Sequence, residues 1–111
     1  QYGDLDKAYN GLNNEDFKIL MTHNPSHWNA KVTDAYNDID LTLSGHTHGL
    51  QYGIDIGDFR VSPVRLAYKQ WADLYELNKQ YIYVNRGFGF MGYPGRVGIL
   101  PEITILELKK S

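Results

Sequence analysis

The amino-acid sequence predicts an α/β fold, and three observations lead to that prediction. Two short and mostly apolar runs, at 17–22 and 39–43, have the length and composition of buried strands. A stretch of helical periodicity lies between them, and a strand–helix–strand order with short links is typical of a parallel βαβ unit. Two further alternating runs, at 72–77 and 81–84, are separated by three polar residues, which predicts an antiparallel hairpin after that unit.

A short amphipathic helix is predicted before the first strand. The residues of its apolar stripe have the spacing i, i+3, i+4, i+7, and they are Leu5, Ala8, Tyr9 and Leu12. Asp4 has the residue type and position of an N-cap, and Gly11 marks the point where the helix should end.

The helix inside the βαβ unit is predicted to begin at Pro25-Ser26, because proline suits the first turn of a helix. Its apolar stripe consists of Trp28, Val32, Ala35 and Tyr36. Parallel strands need cover on both faces of their sheet. One such unit with a single flanking helix does not supply that cover, so we expect further chain, or a partner, to complete the sheet.

The remainder of the chain carries weaker patterns. Residues 49–69 contain glycines, two aspartates and a Ser-Pro pair, and they are predicted to form a long ordered loop with one extended piece. Residues 87–95 contain four glycines and a proline, and are predicted to be rich in turns. The alternation at 103–108 predicts a last strand, followed by a solvated tail at 109–110.

Length and composition exclude several classes of protein. The chain has 111 residues and a net charge of −2, so it is one domain at most, or a piece of one, and it lacks the basic excess of a nucleic-acid-binding protein. It contains no cysteine, which excludes disulfides and thiolate metal sites. No apolar run approaches the roughly 20 residues of a membrane-spanning helix, and the first residues do not resemble a signal peptide.

Three of the four histidines follow the predicted strands of the βαβ unit. His23 comes directly after the first strand, and His46 and His48 come after the second, in the segment Gly-His-Thr-His-Gly at 45–49. Since the carboxyl ends of parallel strands lie at one edge of a sheet, we expect these imidazoles to converge there. Neutral imidazole binds many divalent transition metals, so the sequence predicts a site for one metal ion or for two neighbouring ions.

Two simpler interpretations apply to single histidines. A histidine at a strand end is usually only a hydrogen-bonded polar residue, and this alternative stays open for His23 taken alone. His27 is four residues from His23, the spacing of a helical ligand pair, but Pro25 lies between them. His27 is therefore predicted to be a surface residue at the start of the helix.

Two segments resemble the last two metal-binding motifs of calcineurin-like metallophosphoesterases. They read Met-Thr-His-Asn-Pro at 21–25 and Leu-Ser-Gly-His-Thr-His-Gly at 43–49. Residues 83–89 and 101–104 resemble the C-terminal part of a bacterial, often membrane-associated subfamily. The resemblance runs along nearly the whole chain, and it implies a membrane-associated or extracytoplasmic location for the full-length protein.

The resemblance implies a hydrolase with two divalent metal ions on a four-layer α/β/β/α sandwich. In this family the residues that match His23 and His46 bind one metal, and the residue that matches His48 binds the other. The resemblance implies that a metal-bridging hydroxide would attack the phosphorus of a phosphomonoester, phosphodiester or pyrophosphate. Manganese, iron, zinc and nickel all accept such ligands, so the identity of the metals stays open.

The family also has an Asp-x-His motif, a bridging Asp and an Asn-His-Asp/Glu segment. The sequence contains neither motif, and no Asp stands in a matching pattern. Residues 1–111 are therefore expected to be the C-terminal portion of one metallophosphoesterase domain whose N-terminal half is absent. No catalytic residue is expected in this portion. Alone, it should be inactive, bind metal weakly and self-associate through apolar surface and open strand edges.

Four residues near the strand ends are candidates for the substrate side of the site: Asn24, Gly45, Arg86 and Gly87. The guanidinium of Arg86 has donors that match phosphate oxygens, but it would serve equally as a structural hydrogen-bond donor to loop carbonyls. A second hypothesis for the whole chain is a non-catalytic module that binds one metal ion or none and acts as an interaction surface.

Overall fold

The computed structural model describes residues 3–56, 59–66 and 68–110. The helices are α1 (Leu5–Tyr9) and α2 (Thr33–Ala35), and a π-helical turn at Trp28–Val32 directly precedes α2. Two 3-10 turns lie at His48–Gln51 and Pro63–Leu66. The strands are β1 (Ile19–Thr22), β2 (Leu41–Ser44), β3 (Ile54–Ile56), β4 (Phe59–Val61), β5 (Asp73–Leu77) and β6 (Gln80–Val84). The predicted α/β class is confirmed.

Four of the strands form one sheet in the order β1-β2-β6-β5. β1 pairs with β2, and β2 with β6, in parallel register, while β5 runs antiparallel to β6. The last residues of the parallel strands lie side by side, because Thr22 pairs with Ser44 and Ser44 pairs with Val84. The chain therefore leaves all three strands at the same edge of the sheet.

The predicted hairpin at 72–84 is confirmed, although its turn is one residue shorter than predicted. Leu77 pairs with Gln80, so only Asn78 and Lys79 connect the two strands. Both have positive φ angles, 51° and 65°, which are typical of a type I′ turn.

Helix α1 forms where predicted but is shorter than its predicted stripe. The side chain of Asp4 accepts a hydrogen bond from the backbone N–H of Lys7 at 3.1 Å, which confirms it as the N-cap. Leu5 and Tyr9 pack against the core, whereas Leu12 lies beyond the end of the helix and is exposed.

The second helical segment follows Pro25, as predicted, but it contains the π-helical turn. Trp28 and Val32 are buried, and the N–H of Thr33 donates to the carbonyl of Trp28, five residues back. Ala35 is exposed, so the predicted stripe is wrong at this position. The wider turn rotates the residues after it about the helix axis and moves Ala35 away from the core.

One face of the four-stranded sheet is packed against the helices, and we call it the covered face. Its buried core consists of Trp28, Val32, Ile39, Ile82 and Val84. Around this core pack the half-buried side chains of Leu5, Tyr9, Leu20, Tyr36 and Tyr75. The burial of these apolar side chains is the main source of stability on this side of the sheet.

The opposite face, which we call the open face, presents apolar side chains to solvent. They belong to three strands and are Ile19, Met21, Leu74 and Tyr81. Met21 is 81% exposed, so the prediction that the first strand is buried is wrong. Among the described residues β1 is an edge strand that the helices cover on one side only, and its apolar side chains on the other side stay accessible.

The prediction of a long loop at 49–69 is also wrong. The described residues of this region form a 3-10 turn, the antiparallel pair β3–β4 and a second 3-10 turn. A second small core of Val64, Trp71, Ala72 and Ile99 packs beside them. Strands of three residues are too short to produce a clear alternation of apolar and polar side chains, which is why sequence periodicity did not reveal them.

The predicted last strand at 103–108 is absent. Residues 101–110 have no regular secondary structure, and Ile105 is 93% exposed. The sequence alternates as a strand does, but a strand also needs a neighbour for its backbone hydrogen bonds, and none of the described strands pairs with this segment. Side chains attach the segment instead, because Asn85 Nδ2 donates to Thr104 Oγ1 at 3.0 Å.

Candidate metal centre

Three loops leave the sheet at the edge where β1, β2 and β6 end, and two of them carry the predicted histidines. His23 follows β1, and residues 45–49, which we call the histidine loop, follow β2. Asn85 follows β6, and its backbone N–H donates to the carbonyl of Ser44 at 2.8 Å. The parallel strand order therefore brings loops together that are far apart in the sequence.

The imidazole rings of His23 and His46 are in contact. Their centroids are 4.5 Å apart and their planes are inclined by 61°. Ser44 Oγ donates to the carbonyl of His23 at 3.1 Å, which ties the backbone of one histidine to the strand that carries the other. Two imidazoles at this separation are suited to share one divalent metal ion.

The histidine loop and the residues after it turn in the left-handed sense. His46 and His48 have φ angles of 71° and 51°, and residues 49–51 have φ angles between 54° and 57°. Each non-glycine residue in this conformation costs about 1–2 kcal/mol, and such residues cluster at functional sites. Glycine is required at position 49, because a Cβ on Gly49 would lie 2.7 Å from Cγ2 of Ile99.

His48 faces the loop that follows β6. Its Cε1 lies 4.0 Å from the position that a Cβ on Gly89 would occupy. Its Nδ1 is buried and has no hydrogen-bond partner among the described residues. A buried ring nitrogen without a partner is unfavourable, and it fits a position that a ligand fills.

The electrostatic environment keeps His46 neutral. Burial, and then the neighbouring His23 and His48, lower the pKa of His46 below its ordinary value. The ring therefore has a free lone pair at pH 7, which a metal ligand needs. His23 contacts His46, and His48 stands two residues after His46 in the same loop, so the three predicted histidines share one region of the protein.

A tyrosine that the sequence did not single out contacts the histidine loop. Tyr68 Oη lies 2.9 Å from His46 Nε2. The two rings meet edge to face, with centroids 5.6 Å apart and planes inclined by 84°. The partners are 22 residues apart in a region without helical or strand periodicity, so no sequence pattern indicates this contact.

Two further side-chain hydrogen bonds connect residues near Tyr68 in the sequence to the histidine loop. Thr47 Oγ1 donates to the carbonyl of Trp71 at 2.7 Å, and Ser62 Oγ donates to the carbonyl of Gly49 at 2.6 Å. Both bonds are buried. We call residues 62–72, apart from 67, the bracing segment, because its contacts offset the unfavourable left-handed backbone of the loop.

Arg86 is held by two carboxylates. Its guanidinium binds Asp55 and also Glu102, the latter at 3.1 Å, and the arginine side chain is 13% exposed. Glu102 also accepts a hydrogen bond from the backbone N–H of Arg86 at 3.0 Å. This geometry matches the structural alternative for Arg86, with carboxylates rather than loop carbonyls as acceptors. A contact between Arg86 and phosphate stays a prediction.

The other substrate-side candidates lie in the three loops of the site. Asn24 Oδ1 accepts a hydrogen bond from the backbone N–H of Ser26 at 2.9 Å, which shapes the turn into the helix. Gly45 approaches Asn85, since a Cβ on Gly45 would lie 3.7 Å from the Asn85 carbonyl oxygen. The N–H of Gly87 donates to Asn85 Oδ1 at 2.6 Å. Asn85 therefore links the histidine loop to the loop after β6.

His27 belongs to a different environment. It is half-buried, and its Nδ1 lies 2.9 Å from Thr22 Oγ1. The prediction of a surface residue is therefore wrong in part, because the start of the helix packs against the end of β1. The contact with Thr22 gives His27 a structural partner separate from the other histidines.

The donor set at this edge fits a metal, although the described residues contain no group of three His, Cys, Asp or Glu side chains arranged around a single ion. Two imidazoles in contact and a buried histidine nitrogen without a partner are suitable donors. The assignment of His23, His46 and His48 as metal ligands stays a prediction. In the described part of the chain, no helix has the length and apolar character required to cross a bilayer.

Sequence comparison finds curated relatives along nearly the whole chain. The chain is 35% identical over 109 residues to the uncharacterized metallophosphoesterase YkuE of Bacillus subtilis. The aligned region covers 97% of this chain and 36% of the relative. The chain is 34% identical over 110 residues to a transmembrane protein with metallophosphoesterase domain from Danio rerio, covering 97% of this chain and 24% of the relative.

A third relative is the phosphodiesterase YaeI of Escherichia coli, with 33% identity over 91 residues, covering 82% of this chain and 32% of the relative. The chain thus spans about a quarter to a third of the length of these relatives. No family model and no solved structure matches the chain.

Proposed function

This chain belongs to the metallophosphoesterase family, and on that premise we propose that it supplies three histidine ligands to a two-metal phosphoesterase. The observation that carries the proposal is the contact between His23 and His46, in the same region as the buried Nδ1 of His48 that lacks a partner among the described residues. His23 and His46 bind one ion in this proposal, and His48 binds the second. Such a division accords with the absence of a three-ligand cluster around a single ion in the described part of the chain.

The proposed reaction is hydrolysis of a phosphomonoester, phosphodiester or pyrophosphate. When bound, the two divalent ions supply an activated hydroxide and stabilise negative charge on the phosphoryl oxygens. The residues of this chain bind and orient the ions. The histidine loop presents its imidazoles from a backbone that the bracing segment holds in place, and burial keeps His46 in the neutral form that binds metal.

We further propose that the remaining ligands, including a bridging carboxylate, lie outside residues 1–111. Asp55 and Glu102 are bound to Arg86 and are not free to ligate a metal. A second layer of the whole protein would cover the open face and complete an α/β/β/α sandwich. Without that layer, residues 1–111 are inactive and self-associate through their exposed apolar side chains.

The location of the whole protein is also a proposal. The relatives from Danio rerio and Bos taurus are named transmembrane proteins with metallophosphoesterase domain. Their names support membrane attachment through a part of the protein that residues 1–111 do not contain.

Replacement of His46 by alanine in the whole protein tests the proposed function. The assay uses added Mn²⁺ and bis(p-nitrophenyl) phosphate as substrate. Loss of a residue that only supports a metal ligand typically lowers activity roughly 10- to 100-fold. We expect kcat/KM of His46→Ala to fall by more than this, because His46 is proposed to bind the metal itself. His27→Gln is the matched control, because His27 bonds Thr22 and lies outside the histidine pair. It should keep nearly full activity.

The same assay identifies the competing function. A whole protein that binds Mn²⁺ but hydrolyses no phosphomonoester, phosphodiester or pyrophosphate would be a non-catalytic metal-binding module. Equal activity of His46→Ala and the wild type would show that hydrolysis does not depend on this histidine.

A further inference from the structure

The two ring nitrogens of His46 have different surroundings. Nε2 lies 2.9 Å from Tyr68 Oη, whereas Nδ1 has no hydrogen-bond partner among the described residues. A neutral imidazole carries its proton on one nitrogen and a lone pair on the other. The hydrogen bond at Nε2 therefore bears directly on which nitrogen is available to a metal.

Tyr68 is firmly placed for such a role. Its backbone N–H donates to the carbonyl of Val64 at 3.0 Å, and its ring packs against the small core that contains Val64, Trp71, Ala72 and Ile99. The edge-to-face contact with His46 adds a second restraint on the imidazole plane. The side chain is half-buried and held from several directions, so its hydroxyl has a defined position.

We infer that Tyr68 is a positioning residue: its phenolic oxygen accepts the Nε2–H of His46 and leaves the Nδ1 lone pair for the metal ion. The inference rests on the proposed function, since it concerns a histidine that is assigned there as a ligand. If Tyr68 donated its proton instead, Nε2 would use its lone pair in that bond and Nδ1 would carry the hydrogen. Neither nitrogen would then be free to bind a metal.

The chemistry agrees with how metal-bound histidines are supported in general. A ligating imidazole usually donates its other N–H to an oxygen, and that bond fixes both the tautomer and the orientation of the ring. In this protein the oxygen comes from the bracing segment, which also binds the histidine loop through Thr47 and Gly49. Tyr68 thus acts through His46 and does not itself bind the metal.

The first experiment reads the tautomer in the absence of metal. Two-bond ¹H–¹⁵N NMR spectra of the whole, histidine-labelled protein at pH 7.5 (about one unit above the usual histidine pKa) distinguish a protonated ring nitrogen from one with a lone pair. We expect the proton of His46 on Nε2 in the wild type and a mixture of both tautomers in Tyr68→Phe. Tyr9→Phe is the matched control, because the Tyr9 hydroxyl bonds Asp38 rather than a histidine, and it should leave the His46 signals unchanged.

The second experiment measures Zn²⁺ affinity by calorimetry on the same three proteins. Loss of an outer-sphere partner typically weakens metal binding by about 10- to 100-fold, and we expect Tyr68→Phe to show a loss in this range while Tyr9→Phe binds like the wild type. A wild-type spectrum with the proton on Nδ1 would overturn the inference without any variant, even if Tyr68→Phe fails to fold.

Unchanged tautomer and unchanged zinc affinity in a folded Tyr68→Phe protein would overturn it as well. If the wild-type protein binds no zinc, the proposed function fails, and the spectra alone still decide whether Tyr68 sets the tautomer of His46. The failure of one proposal is therefore distinguishable from the failure of the other.

Discussion

The two faces of the four-stranded sheet differ, although the same strands supply both. On the covered face, Ile82 and Val84 are buried against Trp28 and Val32. On the open face, Ile19 and Met21 of β1 and Leu74 of β5 are apolar but accessible. The C-terminal segment attaches there through polar side chains such as Thr104. Neighbouring residues of a strand point to opposite faces. Both faces of this sheet carry apolar side chains, as an interior layer does, but the helices cover only one of them.

The largest difference between the faces should appear when one side chain is truncated on each. Ile82→Ala removes a fully buried side chain of the central sheet, and we expect the free energy of unfolding to fall by about 2–5 kcal/mol. Met21→Ala removes a side chain that is 81% exposed, and we expect a change within about 0.5 kcal/mol. Urea denaturation of residues 1–111, at protein concentrations low enough that they do not self-associate, measures both.

Met21→Lys extends the same comparison to association. It should leave the stability of residues 1–111 nearly unchanged and reduce their self-association in sedimentation experiments, since it places a charge on the open face. A loss at Met21 as large as the loss at Ile82 would show that the open face is covered in solution.

An intermediate effect is expected at Glu102, whose hydrogen bonds attach the C-terminal segment to the open face. Glu102 is the acceptor that joins Arg86 to Tyr83, so Glu102→Gln should lower the free energy of unfolding by about 1.5–3 kcal/mol, the usual range for hydrogen bonds to charged groups. Burial raises the pKa of Glu102, but hydrogen bonds from Thr104, Tyr83 and Arg86 outweigh it, so the pKa in the folded protein lies below the ordinary value of 4.5.

The sign of the pH dependence follows from that depressed pKa. Above pH 4.5 the ionised Glu102 contributes its full stabilisation, and this contribution is lost as the pH falls through the folded-state pKa. Chemical denaturation between pH 7 and about pH 3 should therefore show a steeper loss for the wild type than for Glu102→Gln. Parallel curves would mean that this carboxylate is not a stabilising contact of the open face.

The last prediction concerns a position that belongs to neither face. Lys79 has a φ angle of 65° in the hairpin turn, so Lys79→Gly should stabilise the protein by about 0.5–1 kcal/mol. Lys31→Gly in the π-helical turn is the matched control, and it should destabilise the protein by about 1 kcal/mol. Thermal denaturation that gives both changes the same sign would argue against the turn geometry.

The sequence was a good guide where a pattern is local. The hairpin at 72–84 follows from alternation and turn residues, and the meeting of His23 with His46 follows from the parallel order of two strands. The sequence was a poor guide to burial in β1. Apolar side chains indicate that a strand favours burial, but they do not show whether the described residues bury it. The alternation at 103–108 failed for a related reason, since a strand also depends on a partner for its hydrogen bonds.

The site was predictable to a similar extent. Three histidines could be placed at one edge of the sheet from strand order alone. The bracing contacts of Ser62, Tyr68 and Trp71 could not, because each joins positions 13 to 24 residues apart that share no periodic relation. The same holds for the ion pairs of Arg86, whose partners lie 31 residues before and 16 residues after it.

The left-handed backbone at 48–51 has a consequence for how the centre responds to damage. Such a turn is not a slightly bent version of ordinary backbone, so it has no nearby state to which it can relax by small steps. The hydrogen bond from Ser62 to the Gly49 carbonyl is therefore one of the contacts on which this turn depends. The proposed metal centre would therefore depend on Ser62, Tyr68 and Trp71, none of which is proposed as a ligand.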